Sequence, residues 1–385
     1  MLFPRFYQKL EKFLKPGKVL VIYGPRQIGK TTLLQNYLKQ TSFKYKLDSG
    51  DNIKVQQILS SQDFSQILEY LSGYELYALD EAQKIPNVGL GLKIIVDQIP
   101  KIRVIATGSS SFELAGQIGE PLTGRKKTLT LFPLSQLELR QIYNPHEMKE
   151  KLPELLVFGG YPEVLRAEKG KKADVLEEIV NSYLLKDVLE LQEVKGSKVI
   201  LDLLRLIAFQ IGGEVSLSEL GRQLGLDDKT VARYLDLLEK SFVLFNLRGY
   251  SRNLRKEITK KSKYYFYDNG IRNAIVSNFN DLTLRDDIGK LWENFLVGER
   301  LKTQEYLKIH ANNYFWRTWE GQEVDWVEER EGKLFGYEFK YSEEKIEKPK
   351  LFLATYPQAK AQLVNKDNYF GFCGVSMDSK KGSLC

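Results

Sequence analysis

Eight consecutive residues carry the clearest chemistry in the chain. Gly24, Pro25, Arg26, Gln27, Ile28, Gly29, Lys30 and Thr31 spell the pattern G-x-x-x-x-G-K-[ST], and Thr32 follows as a further phosphate-binding candidate. The pattern comes directly after the apolar run VLVIYG, residues 19–24, and a helix is expected to open at Lys30. This strand-to-helix context is the one the motif requires. Backbone N–H groups and the helix N-terminus then meet phosphate oxygens. Lys30 reaches the β- and γ-phosphates, and the Thr31 hydroxyl serves Mg²⁺. The cofactors this predicts are ATP and Mg²⁺.

A second element, LYALDE at residues 76–81, is an apolar strand ending in two carboxylates. Asp80 is placed to hold Mg²⁺ and Glu81 to polarise an attacking water. Apolar strands capped by acids are common, so the assignment rests on the pairing with the phosphate loop. Arg125, in LTGRKK, either reaches a γ-phosphate bound by a neighbouring subunit or is an exposed turn arginine.

These residues need a scaffold, and the chain predicts one. Short apolar strands at 19–24, 75–83 and 102–110 alternate with helical stretches, which argues for a parallel α/β sheet over residues 1–132. From Pro133 to residue 196 apolar positions recur at helical spacing and predict a small lid that includes the FGGYPEVL turn. Residues 197–263 read as a helix, a Gly-Gly break, a helix-turn-helix and a wing with a basic segment. Asp227 or Asp228 would cap the second helix of the pair. Lys229, Thr230, Arg233 and Tyr234 lie at its N-terminal end, where base and phosphate contacts are made, unless the unit serves only packing. Between 248 and 263, seven cations (Arg248, Arg252, Arg255, Lys256, Lys260, Lys261, Lys263) stand against one anion, Glu257. Interleaved Tyr250, Tyr264 and Tyr265 suit phosphate neutralisation with base stacking; a solvated basic loop is the alternative. A last α/β unit is expected over 264–376, followed by a flexible tail at 377–385.

Taken with YDNGIRNA (267–274), WENFLVGERL (292–301), EVDWV (323–327) and YEFK (337–340), these motifs make the chain resemble a prokaryotic group that joins an AAA-type ATPase domain to a C-terminal domain of unknown function. The resemblance implies ATP hydrolysis in a homo-oligomer and a C-terminal module similar to PD-(D/E)XK nucleases. In such folds a helix carboxylate, a strand aspartate and an E-x-K pair hold a divalent ion beside the scissile phosphate. Carried over, these are Glu293, Asp325, Glu338 and Lys340. Strand alternation puts Glu338 and Lys340 on one face, with Tyr337 and Phe339 on the other. AAA-type ATPases also place a water-orienting polar residue after the next strand. In Thr107-Gly108-Ser109-Ser110 that is Ser109 or Ser110, unless the serine is an ordinary helix N-cap.

Composition sets the bounds. A chain of 385 residues exceeds one core and calls for two or three domains. With 43% hydrophobic and 28% charged residues it belongs with globular proteins rather than disordered or fibrous ones. It has no apolar run of 18 residues and no signal-peptide pattern, so no membrane partner and a cytoplasmic location are expected. Cys373 and Cys385, with only His146 and His310 beside them, exclude a disulfide framework and a zinc site. A net charge of +7 permits DNA as a partner.

The expected fold class is α/β: a P-loop AAA-type ATPase domain with a helical lid, then a winged helix, then a restriction-endonuclease-like α/β domain. The expected function is an ATPase acting on or binding DNA. The alternative is a nucleotide-switched DNA- or protein-binding regulator without nuclease activity, and a small-molecule P-loop kinase fits the length poorly.

Overall fold

A computed structural model describes residues 3–109, 121–184, 197–251, 262–318, 320–342 and 349–376. Ser110, Arg252, Arg255, Lys256 and the 377–385 tail lie outside the described residues.

Five parallel strands form the first sheet: β1 (Val19–Tyr23), β2 (Tyr45–Ser49), β3 (Leu76–Asp80), β4 (Arg103–Gly108) and β5 (Lys126–Thr130), in the order β2-β3-β4-β1-β5. The inner strands β1, β3 and β4 are apolar almost throughout because both faces are covered, whereas the edge strands β2 and β5 are more polar. Val19, Val21, Tyr77, Leu79, Val104 and Ala106 enter one core with residues of α2 (Ile53–Ser60), α3 (Phe64–Tyr70) and α4 (Val88–Gln98). Leu20, Ile22, Leu76, Ala78, Ile105 and Leu129 point the other way, into a core shared with α1 (Lys30–Leu38).

That second core continues into the C-terminal half. The helical stretch after Phe132 includes α5 (Pro145–Phe158), closed at its start by an Asn144/Glu147 capping box, and the short α6 (Pro162–Arg166). Next come α7 (Ser197–Phe209), β6 (Glu214–Val215), α8 (Leu217–Leu224), α9 (Asp228–Lys240), β7 (Leu244–Gly249) and β8 (Ser262–Phe266). Asp227, not Asp228, caps α9: its side chain accepts from the Thr230 N–H. After α10 (Asn269–Ile275) and α11 (Ile288–Leu307), β9 (Asn312–Arg317), β10 (Glu323–Arg330) and β11 (Lys333–Phe339) precede α12 (Lys350–Thr355) and β12 (Lys360–Val364).

The later strands form one seven-stranded sheet, β12-β11-β10-β9-β7-β8-β6. The boundary expected at 263/264 therefore falls inside β8, which pairs with both β6 and β7. β7 in turn pairs in parallel with β9, so these strands and the last unit share a backbone ladder. Aromatic packing joins the halves as well, with Phe132 against Phe242, Tyr267 and Tyr306.

Candidate functional site: a phosphate loop and a carboxylate cluster

The loop after β1 turns by repeated excursions to positive φ: 146° at Gly24, 59° at Gln27 and 92° at Gly29. A Cβ at Gly24 would collide with the Leu131 carbonyl oxygen, so glycine is required there by both dihedral and space. Gly29 is the N-cap of α1, which begins at Lys30 and aims its free N–H groups into the loop. Lys30 is 5% exposed. Its Nζ donates to the carbonyl oxygens of Gly24 at 2.9 Å and Pro25 at 2.6 Å. Ile28 is buried beneath the loop, while Thr32, the third residue of α1, is exposed.

Thr31 Oγ1 donates to Asp80 Oδ2 at 2.8 Å, so the two motifs meet although they are 49 residues apart. The other oxygen, Asp80 Oδ1, accepts from the Thr107 hydroxyl. Thr107 Oγ1 also accepts from the Glu81 N–H at 3.2 Å, so one side chain from the end of β4 touches both acidic residues. Glu81 stands at φ 52° and ψ 41°, a left-handed conformation that a non-glycine residue holds only under local constraint. Its Oε2 accepts from Gln83 Nε2 at 2.7 Å.

Residues 26–33 and Glu81 line a cavity of about 1030 Å³, closed on further sides by Phe3, Tyr37, Glu163 and Arg166. At its rim Lys84 pairs with Asp51 and, by that hydrogen bond, holds the Asp51 carboxyl below its ordinary value. Arg166, on α6, was not among the sequence candidates; its guanidinium lies 5.5 Å from the Phe3 ring centre.

Two sequence candidates, Ser109 and Arg125, stand apart from these contacts. Ser109 is buried, and its N–H donates to Gln83 Oε1 at 3.2 Å. It is Thr107, two residues earlier in the same peptide, whose hydroxyl reaches Asp80. Arg125 sits at the N-terminal edge of the sheet, where its carbonyl accepts from Val19 N–H. The phosphate loop follows the C-terminal end of β1, and Arg125 Nε donates to Asp97 at 2.6 Å, so this chain does not bring Arg125 to its own cavity.

The C-terminal half gathers a second polar group. β10 and β11 pair as a hairpin with Trp326 opposite Tyr337, which sets Asp325 opposite Glu338. The turn is Glu331-Gly332, both at positive φ. Asp325 Oδ2 accepts from the Phe339 N–H at 2.7 Å. Lys340 Nζ lies 3.7 Å from Glu338 Oε1. Tyr337 and Phe339 pack on Phe372 in the opposite layer.

From α11, Glu293 accepts the Tyr265 hydroxyl at 2.6 Å. Lys263, 2% exposed, pairs with Glu323 and lies 3.8 Å from Glu293. Burial, reinforced by repulsion from Asp325, pushes Glu293 up to about 8 and Glu338 up to about 7. Asp325 is raised by burial too. Burial alone would depress Lys263, but Glu293 and Glu323 outweigh it and hold its pKa above the ordinary lysine value.

Glu293, Asp325, Glu338 and Lys340 thus share one neighbourhood. Among the described residues, however, no group of three or more His, Cys, Asp or Glu side chains is arranged to hold a metal ion.

The aromatic and basic residues expected to contact nucleic acid are divided. Lys229 and Arg233 are exposed one turn apart on α9. Thr230 is committed to the cap, donating from both N and Oγ1 to Asp227. Tyr234 is buried, as are Tyr264 and Tyr265, so these rings cannot stack on bases. Lys263, counted among the surface cations, is buried too.

The comparisons with known proteins follow this geometry. Residues 16–140 match the family model described as AAA domain. In that segment the chain is similar to AAA-type P-loop domains. Residues 149–282 and 288–374 match two further models, each described as a domain of unknown function (DUF8612 and DUF4143). An uncharacterized protein of Mycobacterium tuberculosis is 27% identical over 338 residues, covering 86% of this chain and 72% of that protein. One of Haemophilus influenzae is 25% identical over 334 residues, covering 80% and 78%. Among solved structures, the Thermotoga maritima RuvB Holliday junction branch migration motor aligns over 62% of this chain and 83% of its own at 19% identity, with a TM-score of 0.28. Among the described residues no helix is long and apolar enough to cross a membrane.

Proposed function

We propose that the AAA-type domain binds and hydrolyses ATP in the cavity between the phosphate loop and the lid, and that nucleotide state repositions a DNA-binding C-terminal half. The observation that carries this reading is the 2.8 Å contact of Thr31 with Asp80 beside Lys30 and Glu81 on one cavity wall. Thr31 and Asp80 fit Mg²⁺, because a hydroxyl and a carboxylate offer it oxygen donors. When bound there, Mg²⁺ neutralises charge on the phosphate oxygens. Lys30 exchanges the Gly24 and Pro25 carbonyls for β- and γ-phosphate oxygens. Glu81 orients the attacking water, and Thr107 fixes Asp80 and the Glu81 backbone. Arg166 faces the cavity from the lid and adds positive charge to it.

DNA binding is supported by the succession of α7, β6, α8, α9 and the β7–β8 pair, the element order of a winged helix, with Lys229 and Arg233 exposed on α9. The last unit runs helix, three strands, helix, strand, which supports the nuclease-like reading of its fold. We favour binding without cleavage, because the buried Lys263 ammonium already neutralises part of the carboxylate cluster. Metal-dependent cleavage by Glu293, Asp325, Glu338 and Lys340 is the second reading, motivated by their convergence.

Nucleotide binding tests the first part. Lys30→Ala is expected to weaken binding of a fluorescent ATP analogue at least tenfold, whereas Glu81→Gln keeps wild-type affinity. Undiminished binding by Lys30→Ala would remove the phosphate loop from the account.

A further inference from the structure

Gln83 lies just past the acidic pair, on a short 3₁₀ turn, Ala82–Lys84. Its amide bridges two partners. Nε2 donates to Glu81 Oε2 at 2.7 Å, and Oε1 accepts from the Ser109 N–H at 3.2 Å. The orientation of the amide is fixed by chemistry: a carboxylate only accepts and a backbone N–H only donates, so exchanging the amide's oxygen and nitrogen would break both bonds.

We propose that Gln83 is a positioning residue for ATP hydrolysis, fastening one oxygen of Glu81 and tying it to the backbone at the end of β4. This rests on the ATPase reading above. Glu81 needs such a fastening. It follows the last residue of β3 and occupies the left-handed region, and only its backbone N–H is held by Thr107. With Oε2 held by the amide, the carboxylate's rotation is restricted and Oε1 serves a water in the cavity that Glu81 lines. An orienting group must be held within a fraction of an ångström of its productive position, which a single unanchored glutamate side chain does not achieve. The Ser109 bond makes the end of β4 the fixed reference, on the strand that also carries Thr107. Both contacts that set Glu81 in place therefore come from, or are anchored to, β4.

The test is steady-state phosphate release by the full chain with Gln83→Ala and Gln83→Glu, alongside Glu81→Gln. Loss of one hydrogen bond to a charged, positioned group is expected to lower kcat about tenfold, with the KM for ATP and the affinity for a fluorescent ATP analogue within about twofold of wild type. Gln83→Glu keeps the shape but replaces the donor with a second carboxylate, so it is expected to lose at least as much as Gln83→Ala. A space-filling role would instead leave Gln83→Glu active. Retained nucleotide affinity reports that each variant is folded. In the Glu81→Gln background, Gln83→Ala is expected to cause no further loss. If Glu81→Gln is inactive while both Gln83 variants keep wild-type kcat, the Gln83 assignment is overturned and the role of Glu81 stands. If Glu81→Gln turns over at the wild-type rate, the role of Glu81 and with it the Gln83 assignment are overturned, whereas absence of phosphate release by the wild type would remove the ATPase reading on which both rest.

Discussion

Lys30 and Lys263 are both buried lysines, 5% and 2% exposed, one in the phosphate loop and one in the carboxylate cluster, and they are held in opposite ways. Lys30 donates to two carbonyl oxygens of its own loop, five and six residues away. Lys263 pairs with carboxylates 60 and 30 residues away, on β10 and α11. A site built from one run of sequence can present a cation that exchanges neutral partners for a ligand. A site assembled from distant elements uses its cation to offset charges that the fold has already buried.

The largest effect expected from this contrast is on stability. Lys263→Met leaves Glu323 and Glu293 without their buried partner and should cost about 3–5 kcal/mol of unfolding free energy. Lys30→Met removes two hydrogen bonds to carbonyl oxygens of its loop and should cost less. Equal denaturant midpoints for the two variants would erase the distinction.

A smaller effect concerns pH. Glu293 and Glu338 are raised to about 8 and about 7 in the folded chain, mainly by burial. Between the ordinary glutamate value and those values, the folded state holds protons that the unfolded chain has released. Stability is therefore greatest at the acidic side of that window and declines as pH rises from about 5 to about 8. Glu338→Gln should flatten the decline in denaturant midpoints measured across this range. A rise in stability with pH over the window would contradict the cluster's electrostatics.

The same contrast explains what could be read before the fold was known. The phosphate loop was legible because its requirements are local: glycine where φ is positive, a lysine and a threonine at the helix start, and an apolar strand just before them. Asp80 and Glu81 were legible for the same reason, as the end of one apolar strand. Thr107 was not singled out, because the peptide Thr107-Gly108-Ser109-Ser110 offers several hydroxyls and the sequence does not say which of them reaches Asp80. Gln83 carried no signal in type or spacing.

In the C-terminal half, E-x-K and EVDWV supplied Asp325, Glu338 and Lys340, but Lys263, Tyr265 and Glu323 join them only through the β7–β8 and β10–β11 pairings. Charge counting placed Lys263 and the neighbouring tyrosines on a surface, although the SKYYF run is an inner strand of the sheet, buried at Lys263, Tyr264, Tyr265 and Phe266.

The smallest effect belongs to the exposed face of α9. Lys229→Ala and Arg233→Ala should each weaken duplex binding modestly and lower the slope of log affinity against log salt by about one unit per lost phosphate contact. Fluorescence anisotropy at several salt concentrations measures both. Unchanged slopes would make α9 a packing helix.

The central claim is that Glu81 acts on the chemical step in a cavity that binds ATP without it. Phosphate release at saturating ATP and Mg²⁺, compared between wild type and Glu81→Gln, addresses it most directly. The account predicts turnover by the wild type and a fall of at least about a hundredfold in Glu81→Gln, with nucleotide affinity retained. Equal rates in the two proteins, or no phosphate release by the wild type with and without DNA, would contradict it.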